Sequence, residues 1–587
     1  MSIQTNRRTW MVRLSALGIG SVAFQRVLAH KASQTGAITA QMINDAQWIA
    51  DIELTDSEKA TLVKQLQDQS ENERKLRALN IDADTGPAMA FLPHFFAEHL
   101  PDEDSEKQRI VNTAHTIDSS WSILAKQSGP SQIDWKDEFA IAGSGVVEQA
   151  NALRTGKITS QRLTELYLSR LKTFDPILRC IVSLTEELAL GQAKRADKEL
   201  KEGKDRGLLH GIPWGAKDII AVPPFPTTWG AKPYRETVRP NLATVAHRLN
   251  EAGAVMLGKL AVGTLAMGDI WHDATTKNPW NVEQGSSGSS AGSCSAVGAG
   301  LCTFALGTET LGSIVSPARR CRVMGLRPSF GRVSRYGCMT LAWSMDKVGP
   351  IARHAMDCGI VLNIIQGTDG MDPTVVDRPL VLPPQFAVKK LRVGYVKTQM
   401  SESEQLVFDR LQSDGAEMIA IEFPRTIPEE ALMVGLDVES GAMHDSLIRS
   451  VESDGDLGLW GPSFRKSQFA RGIHYIQSMR ARTMLIQETE RVLRKVDIVL
   501  GSDDLVRTNL TGHPSMVVRF GSQEMPASRR GTEQDASDTG KSKVFAPRAI
   551  KLTAKYFGDA WLVAVADYLE RQMPCIPILP TLFESRV

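Results

Sequence analysis

Fifteen consecutive residues, Gly285 to Ala299, contain only Gly, Ser, Ala, Cys and Val. A run so poor in side-chain volume has two physical outcomes. Exposed, it is a flexible linker. Pressed between core elements, it lets backbones approach closely. The flank decides between them. Leu301-Cys302-Thr303-Phe304-Ala305-Leu306-Gly307 comes next and reads as a buried strand, which a flexible linker does not run into. The expectation is a tightly packed small-residue segment. The strand leads on through Thr308-Glu309-Thr310-Leu311 to Gly312-Ser313-Ile314. A Gly-Ser turn after a strand exposes a hydroxyl and aims neighbouring backbone N–H groups at one point.

A second stretch, Gly211-Ile212-Pro213-Trp214-Gly215-Ala216-Lys217-Asp218, sets a lysine among small residues after a short apolar strand. Desolvation there lowers an amine pKa and makes it a usable base. Alone this is weak, because a Lys-Asp pair after a strand is most often a surface ion pair. The turn at Ser313 is no GxSxG elbow, and no His or Asp can be argued into place as its partner. That leaves a base other than histidine, and neutral lysine is the known substitute.

The rest of the chain bounds these readings. Its 587 residues are 42% hydrophobic and 23% charged, which suits a globular protein with a sizeable core. The formal net charge of +1 gives no argument for a nucleic-acid or anionic-membrane partner. Seven scattered cysteines with no CxxC pair do not make a disulfide framework or a structural zinc site. The histidines form no HExxH, so a metal-dependent hydrolase has little support. No apolar run is long enough for a membrane-spanning helix. Residues 1–32 hold Arg7-Arg8, an apolar stretch from Leu14 to Phe24 and Val27-Leu28-Ala29. They read as a twin-arginine export signal to the periplasm, the alternative being an ordinary start on a cytoplasmic protein.

Residues 33–136 read as a helical extension, with Thr55-Asp56-Ser57-Glu58 capping a polar surface helix. From 137 to 587 helices alternate with short apolar strands, the mark of an α/β sheet enzyme. Phe139 to Leu153 and Ser160 to Thr173 read as helices, Phe174-Asp175-Pro176 as a turn and Cys180 to Leu184 as a strand. Residues 521–543, rich in Ser, Gly, Glu, Arg and Gln, read as an exposed loop.

At this point the sequence resembles the amidase-signature family. The family pattern is a GxPxxxKD lysine, a GGSSGGS stretch and a GTDxGGSIR stretch. The flanks match as well: Asn278-Pro279-Trp280-Asn281, Gly325-Leu326-Arg327-Pro328, Gly331 to Gly337 and Asn509-Leu510-Thr511-Gly512-His513-Pro514. In the family the relay serine precedes the nucleophile by 24 positions, and here 313 − 289 = 24. The resemblance implies one large mixed β-sheet flanked by helices, with the N-terminal helices packed outside it. It implies Ser313 as nucleophile, Ser289 as relay after a cis Gly288–Ser289 bond, and Lys217 as base. Backbone N–H groups of Thr310, Leu311, Gly312 and Ser313 would form the oxyanion hole, with Ser290 and Gly288 in support. It implies a small-molecule amide as substrate, no metal and no cofactor.

Departures from the pattern matter. Leu311-Gly312 replaces Gly-Gly, so one oxyanion donor carries a side chain that narrows the pocket. Glu309 replaces the usual Asp and Val315 the usual Arg; if those two pair in relatives, both halves have changed together and no orphan charge is left. Ser286-Ser287-Gly288 replaces Pro-Gly-Gly, and Arg320 and Arg322 replace an aromatic residue and a glycine. Trp271-His272-Asp273 reads as wall packing, or as pocket lining. His513, Cys294, Cys302, Asp346 and Arg353 read as structural. Three functions compete: a stand-alone amidase, the A subunit of a glutamine-dependent tRNA amidotransferase, and an inactive relative. The export signal and the C-terminal Asn509-to-Pro514 run favour the first. The substrate amide and the oligomeric state stay open.

Overall fold

A computed structural model of the chain describes residues 37–50, 52–79, 81, 88–89, 133–272, 274–378, 380, 387–450, 456–501, 503–526 and 543–584. The twin-arginine segment, residues 90–132 of the expected extension, Asp273 and residues 527–542 lie outside these. The chain divides into two compact units. One takes Met1–Pro87, Thr426–Glu452 and Trp460–Ala481; the other takes Ala88–Arg425, Ser453–Leu459 and Arg482–Val587.

The first unit is helical in its described residues. Its longest complete helix, Asp56–Ala78, starts at the capping box foreseen for it. The Thr55 hydroxyl accepts from Glu58 N, and the Glu58 carboxylate accepts from Thr55 N at 2.6 Å. Acidic Asp56 and Glu58 stand at its N-terminus and basic Lys75 and Arg77 at its C-terminus, complementing the helix dipole. Leu62 and Leu76 are its buried residues, so it is a surface helix as its polarity implies. Leu62 packs with Ile43, Leu54 and Phe469 in a small core. Residues 426–452 and 460–481 therefore group with these N-terminal helices rather than with the sheet.

The larger unit is built on one mixed sheet of eleven strands. They are β1 (Ile181–Leu184), β2 (Pro213–Lys217), β3 (Val255–Leu260), β4 (Phe304–Glu309), β5 (Met324–Arg327) and β6 (Lys347–Ala352), then β7 (Arg392–Tyr395), β8 (Glu417–Ala420), β9 (Ile498–Leu500), β10 (Ser515–Pro526) and β11 (Lys543–Thr553). Their order across the sheet is β1-β3-β2-β4-β6-β5-β10-β11-β9-β7-β8. The pairs β3–β2, β2–β4, β9–β7 and β7–β8 are parallel and the rest antiparallel. Strands β2, β3, β4, β5 and β6 are buried at every position, which explains their near-continuous apolar or small residues.

Two local expectations change. The helix Ser160–Leu178 runs through Phe174-Asp175-Pro176 instead of turning there. Phe174 and Leu178 are buried, and their packing carries the helix past the missing Pro176 N–H. Asp175 then closes the end, accepting from Cys180 N and Ile181 N. Residues 521–526 are likewise strand and not loop. After a bulge between Phe520 and Gln523, β10 stays paired with β11 as far as Pro526 opposite Lys543. A hairpin end needs backbone pairing and no apolar face, so composition concealed it.

The small-residue run behaves as its flank implies. Ala291–Gly298 is a helix with every residue buried. A Cβ on Gly292 would lie 2.3 Å from Ala261 N and from Cys180 O. Ser293 Oγ donates to Leu306 O at 2.9 Å and Ser295 Oγ to Lys277 O at 2.7 Å, so the hydroxyls are satisfied inside the core. Gly292→Ala therefore forces the helix off backbone atoms that cannot yield. We expect a loss of about 1–3 kcal/mol of stability, read from the denaturant midpoint; an unchanged midpoint contradicts this packing.

Candidate active site

Parallel pairing of β2 with β4 sets the site. Trp214, Gly215 and Ala216 stand opposite Phe304, Ala305 and Leu306, so Lys217 reaches the end of β4. Lys217 is fully buried. Its Nζ lies 2.9 Å from Ser289 Oγ, 3.0 Å from Ser290 Oγ, 2.9 Å from Thr308 Oγ1 and 3.2 Å from Thr308 O. Burial pushes the Lys217 pKa down to about 7, against the opposing pull of nearby acidic groups.

Counting hydrogens limits the roles in this cluster. A neutral amine has two N–H groups and one lone pair. Ser290 Oγ donates to Thr308 O and accepts from Thr308 N, both at 3.2 Å. It can therefore only accept from Lys217. Thr308 O is an acceptor too. With the two hydrogens of a neutral amine on Ser290 Oγ and Thr308 O, the lone pair faces the hydroxyls of Ser289 and Thr308, each at 2.9 Å. Ser290 sits in a Gly288-Ser289-Ser290-Ala291-Gly292 stretch that spells GxSxG, yet its hydroxyl is locked in this network.

The Gly288–Ser289 bond is cis. A Cβ on Gly288 would fall 1.7 Å from Gly268 O, so no other residue fits there. Ser290 N donates to Ser313 O at 3.0 Å, tying the Ser289-Ser290 segment to the turn at Ser313. Ser289 is 1% and Ser313 8% exposed. Gly312 has φ +83°, the left-handed conformation that turns the chain into the helix Val315–Cys321. The N–H groups of Leu311, Gly312 and Ser313 donate to no acceptor among the described residues. Leu311 is partly exposed beside them.

Behind this turn lies a charged network. Glu309, fully buried, pairs with Arg327 at 2.9 Å. Its other oxygen accepts from Ile314 N at 2.8 Å and Val315 N at 2.9 Å. Asn509 Nδ2 donates at 2.8 Å to the oxygen that faces Arg327, and Lys347 Nζ donates to Asn509 Oδ1 at 2.9 Å. The replacement of Arg by Val315 thus leaves Glu309 charged and paired through Arg327, not through a partner at 315. Burial pushes the Glu309 carboxyl up, and Arg327, Lys347 and the backbone N–H groups outweigh it, holding the pKa at about 2. Asp346 accepts from Thr310 Oγ1 at 2.6 Å, from Leu341 N at 2.7 Å and from Ala342 N.

A family model described as Amidase matches residues 162–563. The chain belongs to the amidase-signature family. Among curated sequences it is similar to the A subunit of the glutamyl-tRNA(Gln) amidotransferase of Roseiflexus sp. (strain RS-1), 33% identical over 59% of this chain and 79% of that one. It is also similar to the protein of that name from Coxiella burnetii, 38% identical over 48% of this chain, and spans only 61% of that relative's length. Among solved structures, the native peptide amidase of Stenotrophomonas maltophilia matches with a TM-score of 0.59 at 25% identity, over 73% of this chain and 97% of that one. The mixed sheet flanked by helices is the architecture of this family.

The other residues singled out by sequence have their places. Asp218 pairs with Lys259 at 2.8 Å inside the core, so the Lys-Asp stretch is no surface ion pair. Trp271 Nε1 donates to Arg179 O and Thr276 Oγ1, and His272 Nε2 lies 2.7 Å from Thr228 Oγ1. His513 bridges Thr511 Oγ1 and Glu490, and Arg353 donates to the carbonyls of Val297, Cys302 and Ser144. All seven cysteines are free, Cys294 and Cys302 among the buried ones. Among the described residues no group of His, Cys, Asp and Glu could hold a metal ion, and no helix is long and apolar enough to cross a membrane. Thr308, Arg327, Lys347 and Asn509 were not picked out for the site by sequence. Arg327 and Asn509 stand in matching flanks, a signal without an assigned role.

Glu309→Gln removes a buried charge and strands Arg327. We expect a loss of about 3–5 kcal/mol of stability at neutral pH, measured by denaturant unfolding. The sign follows from the lowered pKa: this contribution is present above about pH 4.5 and is lost as pH falls toward 2. A variant as stable as wild type at pH 7 contradicts the network.

Proposed function

We propose that this chain cleaves a carboxamide C–N bond through an acyl-enzyme on Ser313, with Ser289 as relay and Lys217 as base. The observation that carries this reading is the buried Lys217 amine, its Nζ 2.9 Å from Ser289 Oγ. The neutral amine takes the Ser289 proton as Ser289 takes the Ser313 proton, and Ser313 Oγ bonds to the carbonyl carbon. The N–H groups of Thr310, Leu311, Gly312 and Ser313 receive the developing oxyanion. The C–N bond breaks as the proton returns through Ser289 to the leaving nitrogen. Water then cleaves the ester, and Ser313 regains its proton.

Two finer readings share this chemistry. In the first, the chain works alone on simple amides. The peptide amidase fold and the twin-arginine segment support it. In the second, the chain is the A subunit of an amidotransferase, and its released ammonia passes to a second site. The 33% and 38% identical relatives carry that name, and this similarity weighs more than the C-terminal run that sequence comparison set against it. Ammonia release from a panel of primary amides including glutamine separates them. Turnover by the purified chain alone supports the first reading. Turnover of glutamine alone, and only with partner subunits and tRNA added, supports the second.

Ser313→Ala is expected to abolish turnover, with Ser289→Ala and Lys217→Ala also severe and the losses not additive. Because the base works as the neutral amine and its pKa stands at about 7, kcat/KM should be level above that pH and fall about tenfold per unit below it. A Lys217→Ala variant with near-full neutral activity requires a different base.

A further inference from the structure

The N–H groups of Leu311, Gly312 and Ser313 are open among the described residues, and the side chains around them divide by polarity. The ionic ones are already committed. Glu309, Arg327, Lys347 and Asp346 are each at most 9% exposed. Glu309 pairs with Arg327, Lys347 donates to Asn509 Oδ1, and Asp346 accepts from Thr310 Oγ1, Leu341 N and Ala342 N. Two leucines differ. Leu311 belongs to the turn itself and is partly exposed. Leu505, the first residue of the helix Leu505–Thr511, is partly exposed as well. Gly312 marks how close this second leucine lies. A Cβ built on Gly312 would stand 3.4 Å from Leu505 Cδ2, ordinary van der Waals contact, and 2.9 Å from Ser316 Oγ. Leu505 therefore lies against the residue that directly precedes Ser313.

The network that sets the turn also sets Leu505. Asn509 Nδ2 donates to Glu309 Oε1 at 2.8 Å and to Leu505 O at 2.9 Å. Thr508 Oγ1 donates to Asp504 O at 2.8 Å, closing the start of the same helix. One amide thus joins Leu505 to the carboxylate that accepts from Ile314 N and Val315 N. Apolar area left in water favours a ligand that covers it. A charged chain in the same place gains no free ionic partner from these four groups and loses its hydration.

We propose that Leu311 and Leu505 receive the acyl chain of the amide, so that the substrates are carboxamides of apolar aliphatic acids and not charged amides such as glutamine. This rests on the amide-cleavage reading. The N–H groups of the turn take the carbonyl oxygen, and the two leucines take the carbon chain beside it. Selection by such a wall grows with chain length, because each added methylene leaves water only when it has an apolar surface to lie on.

The test has two arms on the full chain. The first measures kcat/KM for acetamide, butanamide, hexanamide and glutamine, which all release ammonia and differ in the acyl chain alone. We expect a gain of about threefold per added methylene and glutamine about a hundredfold below hexanamide. A flat series, or glutamine preferred to hexanamide, overturns the inference and leaves amide cleavage standing. Leu505→Ser and Leu311→Gly should each cut the hexanamide-to-acetamide ratio of kcat/KM about tenfold, while Leu505→Met keeps it within about twofold. A displaced turn would lower both amides together, so an unchanged ratio in Leu505→Ser or Leu311→Gly overturns the inference. The second arm needs no turnover: hexanamide is titrated calorimetrically into Ser313→Ala, with and without Leu505→Ser. We expect binding that weakens about tenfold when Leu505 is replaced. No hexanamide binding, or binding indifferent to Leu505, overturns the inference. If wild type cleaves none of these amides while Leu505-dependent binding persists, the amide-cleavage reading fails and the apolar site stands.

Discussion

The carboxylate of Glu309 holds the turn at Ser313 in place. It ends a fully buried strand, yet its oxygens accept from Arg327, Asn509 and the two backbone N–H groups that follow Ser313. Bonding to Ile314 N and Val315 N leaves the preceding N–H groups of the turn pointing elsewhere, free of partners among the described residues. Both consequences come from one side chain. An ion pair taken out of water gives little net stability, because desolvation offsets the Coulomb attraction. Its effect here is geometric: it fixes which donors are used and which stay open.

The lysine on the neighbouring strand works by the opposite logic. Glu309 is kept ionised by compensating cations, whereas Lys217 has no carboxylate in direct contact among the described residues and is surrounded by hydroxyls and a carbonyl. The same burial that would raise an acid lowers this amine. Two adjacent strand ends therefore carry a charged acid and a base poised near neutrality, separated by the choice of partners. Thr308 belongs to both: its backbone continues to Glu309, and its carbonyl and hydroxyl both lie against the Lys217 amine.

The motif stretches were legible in sequence because their pattern is local. Lys217, Ser289, Ser290 and Ser313 stand in short stretches whose small neighbours announce close packing, and the structure brings these segments together. The supporting network was not legible. Arg327 is 18 residues from Glu309 and Asn509 is 200 away, so no local pattern joins them. Thr308 looks like any threonine at a strand end. The helix through Pro176 and the hairpin strands beyond Phe520 were hidden for a related reason, since tertiary packing and pairing overrode a local breaker and a polar composition.

The parallel register of β2 and β4 has a wider consequence. Successive residues of a strand alternate faces and advance about 3.3 Å. A slip of one residue between these two strands would turn Lys217 to the far side of the sheet and remove it from the serines. The reach of the amine is thus an inherited property of strand pairing, set before any loop is placed. Change in such a protein has an uneven cost. Insertions between elements leave the pairing intact and are free to reshape what enters. A single inserted residue within either strand disarms the chain while leaving most of its core unaltered. Diversity among such enzymes should accordingly gather in connections, with the two strands as the fixed ruler between them.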